Sequence, residues 1–161
     1  MMEGKRYNKE YAKKWTSHKY NGPGVRYEVG LGILSGDIVW VNGPFPCGIW
    51  PDLKIMKEGG ILELLEENER IETDDGYRGL DPEFCLTKSG LRHPSSDPGM
   101  RARVRARQET VNKRFRQFAA ASNVYRHDVL NHSKVFYSIV VLTQLAIESG
   151  EPLFHCHSYE G

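Results

Sequence analysis

The order of segments predicts a mixed α/β domain. Three observations carry that expectation. Two strand-like runs, Arg26–Ile33 and Asp37–Asn42, are joined by Leu34-Ser-Gly36, the signature of an antiparallel hairpin. A basic stretch from about residue 99 places Met100, Val104, Val111, Phe115 and Phe118 at helical spacing, giving one buried stripe. A last stretch, Asn131 to Glu148, is apolar nearly all round and is expected to be a helix central to the packing. Hairpin, helix, strand, strand, helix and helix make an α/β order with no internal repeat.

The remaining elements follow in order. Residues 1–14 form a basic arm in which Tyr7 and Tyr11 continue to Trp15 at four-residue intervals, a pattern that suits either a helix or an irregular tail. Gly30 and Gly32 weaken the first strand of the hairpin or mark a close backbone approach. Asn42–Pro51 holds three prolines and two glycines and is expected to be a loop, after which Asp52 can cap a helix. Ile61, Leu64 and Leu65 give a short helical stripe; Arg70 opens a strand ending at Asp74, and Glu83 to Ser89 suits one more. Pro94–Pro98 is a turn-rich linker with Ser96 or Asp97 as candidate caps for the basic helix.

A chain of 161 residues, 39% hydrophobic and 27% charged, fits one domain, residues 15–154, with a tail over 155–161. The net charge of +1 conceals segregation. Glu58 to Glu83 carries ten acids against Arg70 and Arg78, whereas Arg101 to Arg116 carries seven bases against Glu109 alone. A basic helix interrupted by one acid suits either a polyanion approaching a carboxylate or a solvated charged face. Cys47, Cys85 and Cys156 are odd in number and widely spaced, which indicates neither a disulfide framework nor a zinc knuckle and makes a reducing compartment the default. The most apolar run, Val135 to Ile147, is shorter than the ~20 residues a bilayer needs. The N-terminus lacks the apolar stretch of a signal peptide.

Asp74 and Glu109 are the leading candidate site residues. Asp74 ends a strand and precedes Asp75-Gly-Tyr77, so it either projects into a cleft or satisfies backbone N–H groups in the turn. Glu109 lies off the buried stripe with Arg105, Asn112 and Lys113 on its face, which makes it a metal ligand or a solvated acid paired with those bases. Asp52 after Trp50-Pro51 is expected to be an N-cap, either that alone or one that also approaches the cleft. His155-Cys-His157 lacks a fourth ligand for a soft metal.

Six stretches together resemble the DDE superfamily endonuclease domain of Harbinger-type transposases, from about Trp15 to Phe154. They are Trp15-Thr-Ser-His-Lys19; Gly22-Pro-Gly-Val-Arg-Tyr-Glu28; Ile38-Val-Trp-Val-Asn-Gly-Pro-Phe-Pro-Cys-Gly48 with Trp50-Pro-Asp-Leu-Lys54; Thr73-Asp-Asp-Gly-Tyr77; Ala106-Arg-Gln-Glu-Thr-Val-Asn-Lys-Arg-Phe115; and Thr143-Gln-Leu-Ala-Ile147 leading to Gly150-Glu-Pro-Leu-Phe154. The resemblance implies an RNase H-like fold, a mixed sheet flanked by helices. It also implies two Mg²⁺ or Mn²⁺ ions held by two Asp and one Glu for DNA cleavage and strand transfer. In its terms Asp74 is the second Asp and Glu109 the Glu, both catalytic and metal-binding, with Asp52 near the site but outside the triad. Arg105, Arg107, Lys113 and Arg116 would neutralise the DNA backbone. A nuclear location and a separate DNA-binding partner protein are further implications.

This chain departs from the pattern at its front. The family's first catalytic Asp sits on an opening strand upstream of the stretch matching Trp15 to Lys19, and no Asp precedes Asp37 here. The expectation is therefore an RNase H-like domain lacking its opening strand and one wall of the two-ion clamp. Two carboxylates retain one ion weakly, so activity is expected to be weak or absent. The alternative is a catalytically inert DNA- or protein-binding module derived from a transposase.

Overall fold

The computed structural model describes residues 9–17, 19, 21–80, 85–87, 98–125 and 129–156. The candidate caps Ser96 and Asp97, the first half of the basic arm and His157 lie outside these residues. The α/β expectation is met: short helices α1 (Lys9–Trp15), α2 (Asp52–Glu58) and α4 (Ala119–Ser122) and long helices α3 (Pro98–Arg116) and α5 (Val129–Glu148) accompany six strands. The strands are β1 (Thr16–Ser17), β2 (Gly22–Pro23), β3 (Val25–Leu31), β4 (Ile38–Pro46), β5 (Ile71–Thr73) and β6 (Cys85–Thr87). Among the described residues they pair two by two: β1 with β2 and β3 with β4 antiparallel, β5 with β6 parallel. One continuous mixed sheet is thus absent from the described residues.

The β3–β4 hairpin sits where the alternating apolar pattern put it, but β4 is longer than expected. It continues through Pro44 and Pro46 in the segment read as a loop, pairing Phe45 with Arg26 and Pro46 with Val25. Proline cannot donate to a ladder, yet among the described residues β4 is paired with β3 alone, and Pro at an edge strand forfeits no bond on its outer side. Register shifts fall between Arg26 and Glu28 and between Gly30 and Leu31. At Gly30 a Cβ would come within 3.1 Å of Trp40 Cβ, which explains the glycine in mid-strand as a close-approach residue.

Period-two alternation gives β3 two different faces. Tyr27, Val29 and Leu31 pack on the main core, whose buried members are Val111 and Phe115 of α3, Phe136, Ile139, Val140 and Ile147 of α5, and Leu153. Tyr27 stacks on Phe136 with ring centroids 3.8 Å apart, and its hydroxyl lies 2.8 Å from His132 Nδ1. Burial holds the His132 imidazole below its ordinary pKa, partly offset by a hydrogen bond to the Ala120 backbone. The other face of β3, carrying Arg26 and Glu28, turns toward α2 and the end of β5.

Helix α3 spans the stretch expected for it, with Val111 and Phe115 buried. It stops at Arg116, so Phe118 packs on the core from the turn beyond it rather than from the same helix. The first half of the inward face is unusual: Arg101 and Arg107 are buried there. Helix α5 covers Phe136, Ile139, Val140, Thr143 and Ile147 but leaves Tyr137, Val141, Leu142 and Leu145 exposed. The central, all-round buried helix expected from its composition is therefore half-covered among the described residues. No helix among them is long and apolar enough to cross a membrane.

Candidate functional site

The candidate residues gather around the end of β5. Beyond Thr73 the chain turns through a short 3₁₀ segment, Asp75–Tyr77, and Asp74 closes that turn with its own side chain. Asp74 Oδ1 accepts the Gly76 N–H at 2.8 Å, the Asx-type arrangement open to an aspartate before a tight turn. Gly76 is also where Asp52 arrives: a Cβ there would meet Asp74 Oδ1 at 2.9 Å and Asp52 Oδ2 at 3.4 Å. The two carboxylates therefore flank one α-carbon, and a side chain at position 76 would have to push them apart.

Asp52 does not cap α2. The N-cap is Pro51, which offers no side-chain bond, and Asp52 is the first helical residue. Its carboxylate accepts from Arg26 Nη1 at 3.1 Å, and the same nitrogen donates to the Trp50 carbonyl at 2.7 Å. A helix N-terminus favours an acid at this position regardless of capping.

Glu28 is a site residue that its sequence context did not single out. It is 7% exposed, and Oε2 accepts the Trp40 indole N–H at 2.9 Å. Oε1 is buried and has no hydrogen-bond partner among the described residues. Burial raises its pKa above the ordinary glutamate value, the Trp40 bond opposes this, and the Asp52 charge adds to the rise. Tyr77, packed among these groups, is raised by burial and then by the charges of Asp52, Glu28 and Asp74, against the lowering effect of Arg26. Glu28, Asp52 and Asp74 thus share one electrostatic neighbourhood, with the Arg26 guanidinium as countercharge.

That neighbourhood sets a pH dependence. A carboxyl whose pKa is raised on folding binds its proton more readily in the native state, so its contribution to stability is full below the unfolded pKa and declines as pH rises through the folded value. Glu28→Gln cannot ionise and keeps an amide oxygen for Trp40. In urea unfolding series between pH 4.5 and pH 7.5, its stability relative to wild type is expected to improve as pH rises from the ordinary glutamate value and to level off once Glu28 is ionised in the folded protein as well. A difference that stays flat over this range would contradict the assignment.

Helix α3 is fastened to β5 by a second missed acid. Glu72, with a side chain 2% exposed, accepts from Arg101 Nε at 2.8 Å through Oε1 and from Arg105 Nη1 at 3.2 Å. The alternation of Glu72 with Asp74 and the four-residue spacing of Arg101 and Arg105 were the available signals. Gln108, one turn further, donates through Nε2 to the Val29 carbonyl of β3 at 3.3 Å, so α3 bridges the hairpin and the β5–β6 pair.

These bonds alter the phosphate-binding set expected from the sequence. Arg107 is not at the surface: it is 2% exposed and donates to the carbonyls of Ile33 (2.6 Å) and Phe154 (2.6 and 3.0 Å). Arg105 is engaged with Glu72. The packed face of the helix consumes Arg107 and its border consumes Arg105, because the Ile33 and Phe154 carbonyls and the buried Glu72 carboxylate require donors. Lys113 and Arg116 are exposed, as is Glu109, and helical spacing gathers the three on one outward face.

Asp74 and Glu109 are not brought together with a third ligand. Among the described residues no three His, Cys, Asp or Glu side chains converge to hold a metal ion. Cys156 is buried and His155 exposed, and the Arg103 guanidinium donates to the His155 carbonyl at 3.1 Å. Comparison of the chain with protein-family models, with curated proteins and with solved structures finds no match.

Proposed function

We propose that the chain is a DDE-type nuclease domain of the Harbinger transposase kind that lacks one carboxylate of its site, binding DNA and cleaving it feebly at most. One observation carries the reading. The Glu72–Arg105 bond ties β5 to α3, Asp74 stands two residues beyond Glu72, and Glu109 stands one helical turn beyond Arg105. Both acids step off from the same fastened pair, a placement that supports reading a strand-end and a helix carboxylate as members of one site.

The strand pairing supports an RNase H-like reading in the same way. An antiparallel hairpin and a parallel pair held to the same helix supply both kinds of pairing that a mixed sheet contains. A two-ion Mg²⁺ or Mn²⁺ clamp does not fit the described residues, because Asp74 is engaged with Gly76, Asp52 with Arg26, and no third donor joins Glu109. The exposed Lys113 and Arg116 supply the attraction to DNA backbone, sequence choice falls to a separate DNA-binding partner, and the nucleus is the matching location.

Nicking of supercoiled plasmid in Mg²⁺ or Mn²⁺ tests this reading. The wild-type chain is expected to convert little more plasmid than Asp74→Ala does. Rapid nicking that disappears in both Asp74→Ala and Glu109→Gln would show a complete site and overturn the proposal. The second reading, an inert DNA- or protein-binding module, is favoured by the lack of three converging donors among the described residues. In that case nicking is absent altogether and Glu109→Gln changes nothing.

A further inference from the structure

The outward face of α5 has no cover among the described residues, and its pattern is self-complementary. Val141 is 57% exposed, Leu142 52%, Leu145 50% and Tyr137 40%. Four large apolar side chains on two turns of one helix make a contiguous stripe rather than the scattered apolar residues of an ordinary surface. Exposed Lys134 and Glu148 lie at its two ends, each seven residues from Val141. Seven residues are two helical turns, so both ends lie on the same face as Val141, about 10.5 Å to either side.

We propose that α5 is the interface between two copies of this chain, paired antiparallel about a two-fold axis at Val141. The axis places Val141 against the partner copy's Val141, Tyr137 against its Leu145, and Lys134 against its Glu148, the last two pairs each occurring twice. Apolar groups meet apolar groups and each cation meets an anion, with no insertion or shift of register. A second copy suits the stripe better than an unrelated occupant because opposite charges stand at equal distances from its centre. A two-fold pairing also closes on itself and leaves no propagating contact.

The face is held in a fixed orientation before pairing. Gln144 accepts the Ile38 N–H through Oε1 at 2.8 Å and donates through Nε2 to Asp37 Oδ1 at 3.0 Å. Tyr137 donates its hydroxyl to the Val41 carbonyl at 3.3 Å, which ties its ring toward β4 as one border of the stripe. Little ordering therefore remains to be done on association. A single helix pair covers less than the roughly 800 Å² per partner of a standard interface, so a dimer of micromolar affinity is expected.

Sedimentation velocity over a concentration series from about 1 to about 300 μM tests the proposal. The expected result is a reversible monomer–dimer equilibrium that Val141→Asp abolishes. Lys134→Glu and Glu148→Lys, each of which sets like charges opposite each other twice, are expected to weaken it about tenfold apiece. The double variant Lys134→Glu/Glu148→Lys is expected to restore it to within about threefold of wild type. Restoration by the swap is specific to antiparallel self-pairing, and thermal melts confirm that the variants fold. If Val141→Asp does not fold, the charge series alone decides. A chain that stays monomeric across the range, a dimer indifferent to these changes, or a swap that fails to restore it would overturn the proposal.

Discussion

Arg107→Ala is expected to destabilise the protein by about 3–5 kcal/mol, among the largest effects of any single change at a charged position. The reason lies in what the guanidinium connects. It reaches the Ile33 carbonyl in the β3–β4 turn on one side and the Phe154 carbonyl in the C-terminal segment on the other. Gly36 lies against it, with an added Cβ 3.4 Å from the guanidinium carbon, so the turn has closed around the side chain. Removing it strands those carbonyls and loosens the segment that buries Leu153 and Cys156. Arg107→Lys is expected to recover less than half of the loss, because one ammonium cannot reproduce a planar fork with donors pointing to two chains. Urea unfolding followed by tryptophan fluorescence measures both. A loss below about 1 kcal/mol for the alanine variant would show that the carbonyls find other donors.

The second large effect belongs to Glu72. Glu72→Ala leaves Arg101, whose side chain is 6% exposed, without the carboxylate that it faces at 2.8 Å. The expected loss is again about 3–5 kcal/mol, most of it the cost of removing the buried acceptor that Arg101 and Arg105 share rather than the net worth of either pair. The distinction is measurable. Glu72→Leu combined with Arg101→Met removes the buried pair, leaves only the partly exposed Arg105 to turn to solvent, and is expected to lie within about 1.5 kcal/mol of wild type. Were the double variant as unstable as Glu72→Ala, the loss would have to be assigned to packing at β5 instead.

These two arginines mark the limit of what the sequence discloses. Spacing locates α3, and the Val111 and Phe115 stripe identifies its buried side. Periodicity counts apolar residues only, so it assigned Arg101 and Arg107 to the surface by default. Whether an arginine is solvated or buried depends on an acceptor elsewhere in the chain: Glu72 lies 29 residues before Arg101, and Phe154 lies 47 beyond Arg107. No local pattern holds that information. The hairpin was legible for the opposite reason, since its two strand-like runs are joined directly by Leu34-Ser-Gly36 and their pairing is local.

The proline-rich end of β4 was misread because prolines that normally stop a strand are harmless where the outer edge carries no ladder. Helix α5 was misread from its composition, which does not distinguish a helix buried all round from one that keeps an apolar face in reserve. At the site, the turn was one of the two readings that Asp-Asp-Gly-Tyr left open for Asp74, and the approach of Asp52 was an alternative beside the N-cap reading, which the structure does not bear out. Glu28 was not. A lone acid in a strand shows its importance only when Trp40 is found to bind one of its oxygens and burial to isolate the other.

The proposed function requires the outward face of α3, with Lys113 and Arg116 beside Glu109, to engage DNA. Fluorescence anisotropy of a labelled duplex, titrated at several salt concentrations, tests it most directly. The expected result is an affinity that falls as salt rises, with a log–log slope reduced by about 1.8 in the Lys113→Ala/Arg116→Ala double variant, roughly 0.9 for each lost phosphate contact, and unchanged in Glu109→Gln. Absence of binding at low salt, or a slope that the double variant leaves intact, would contradict the claim.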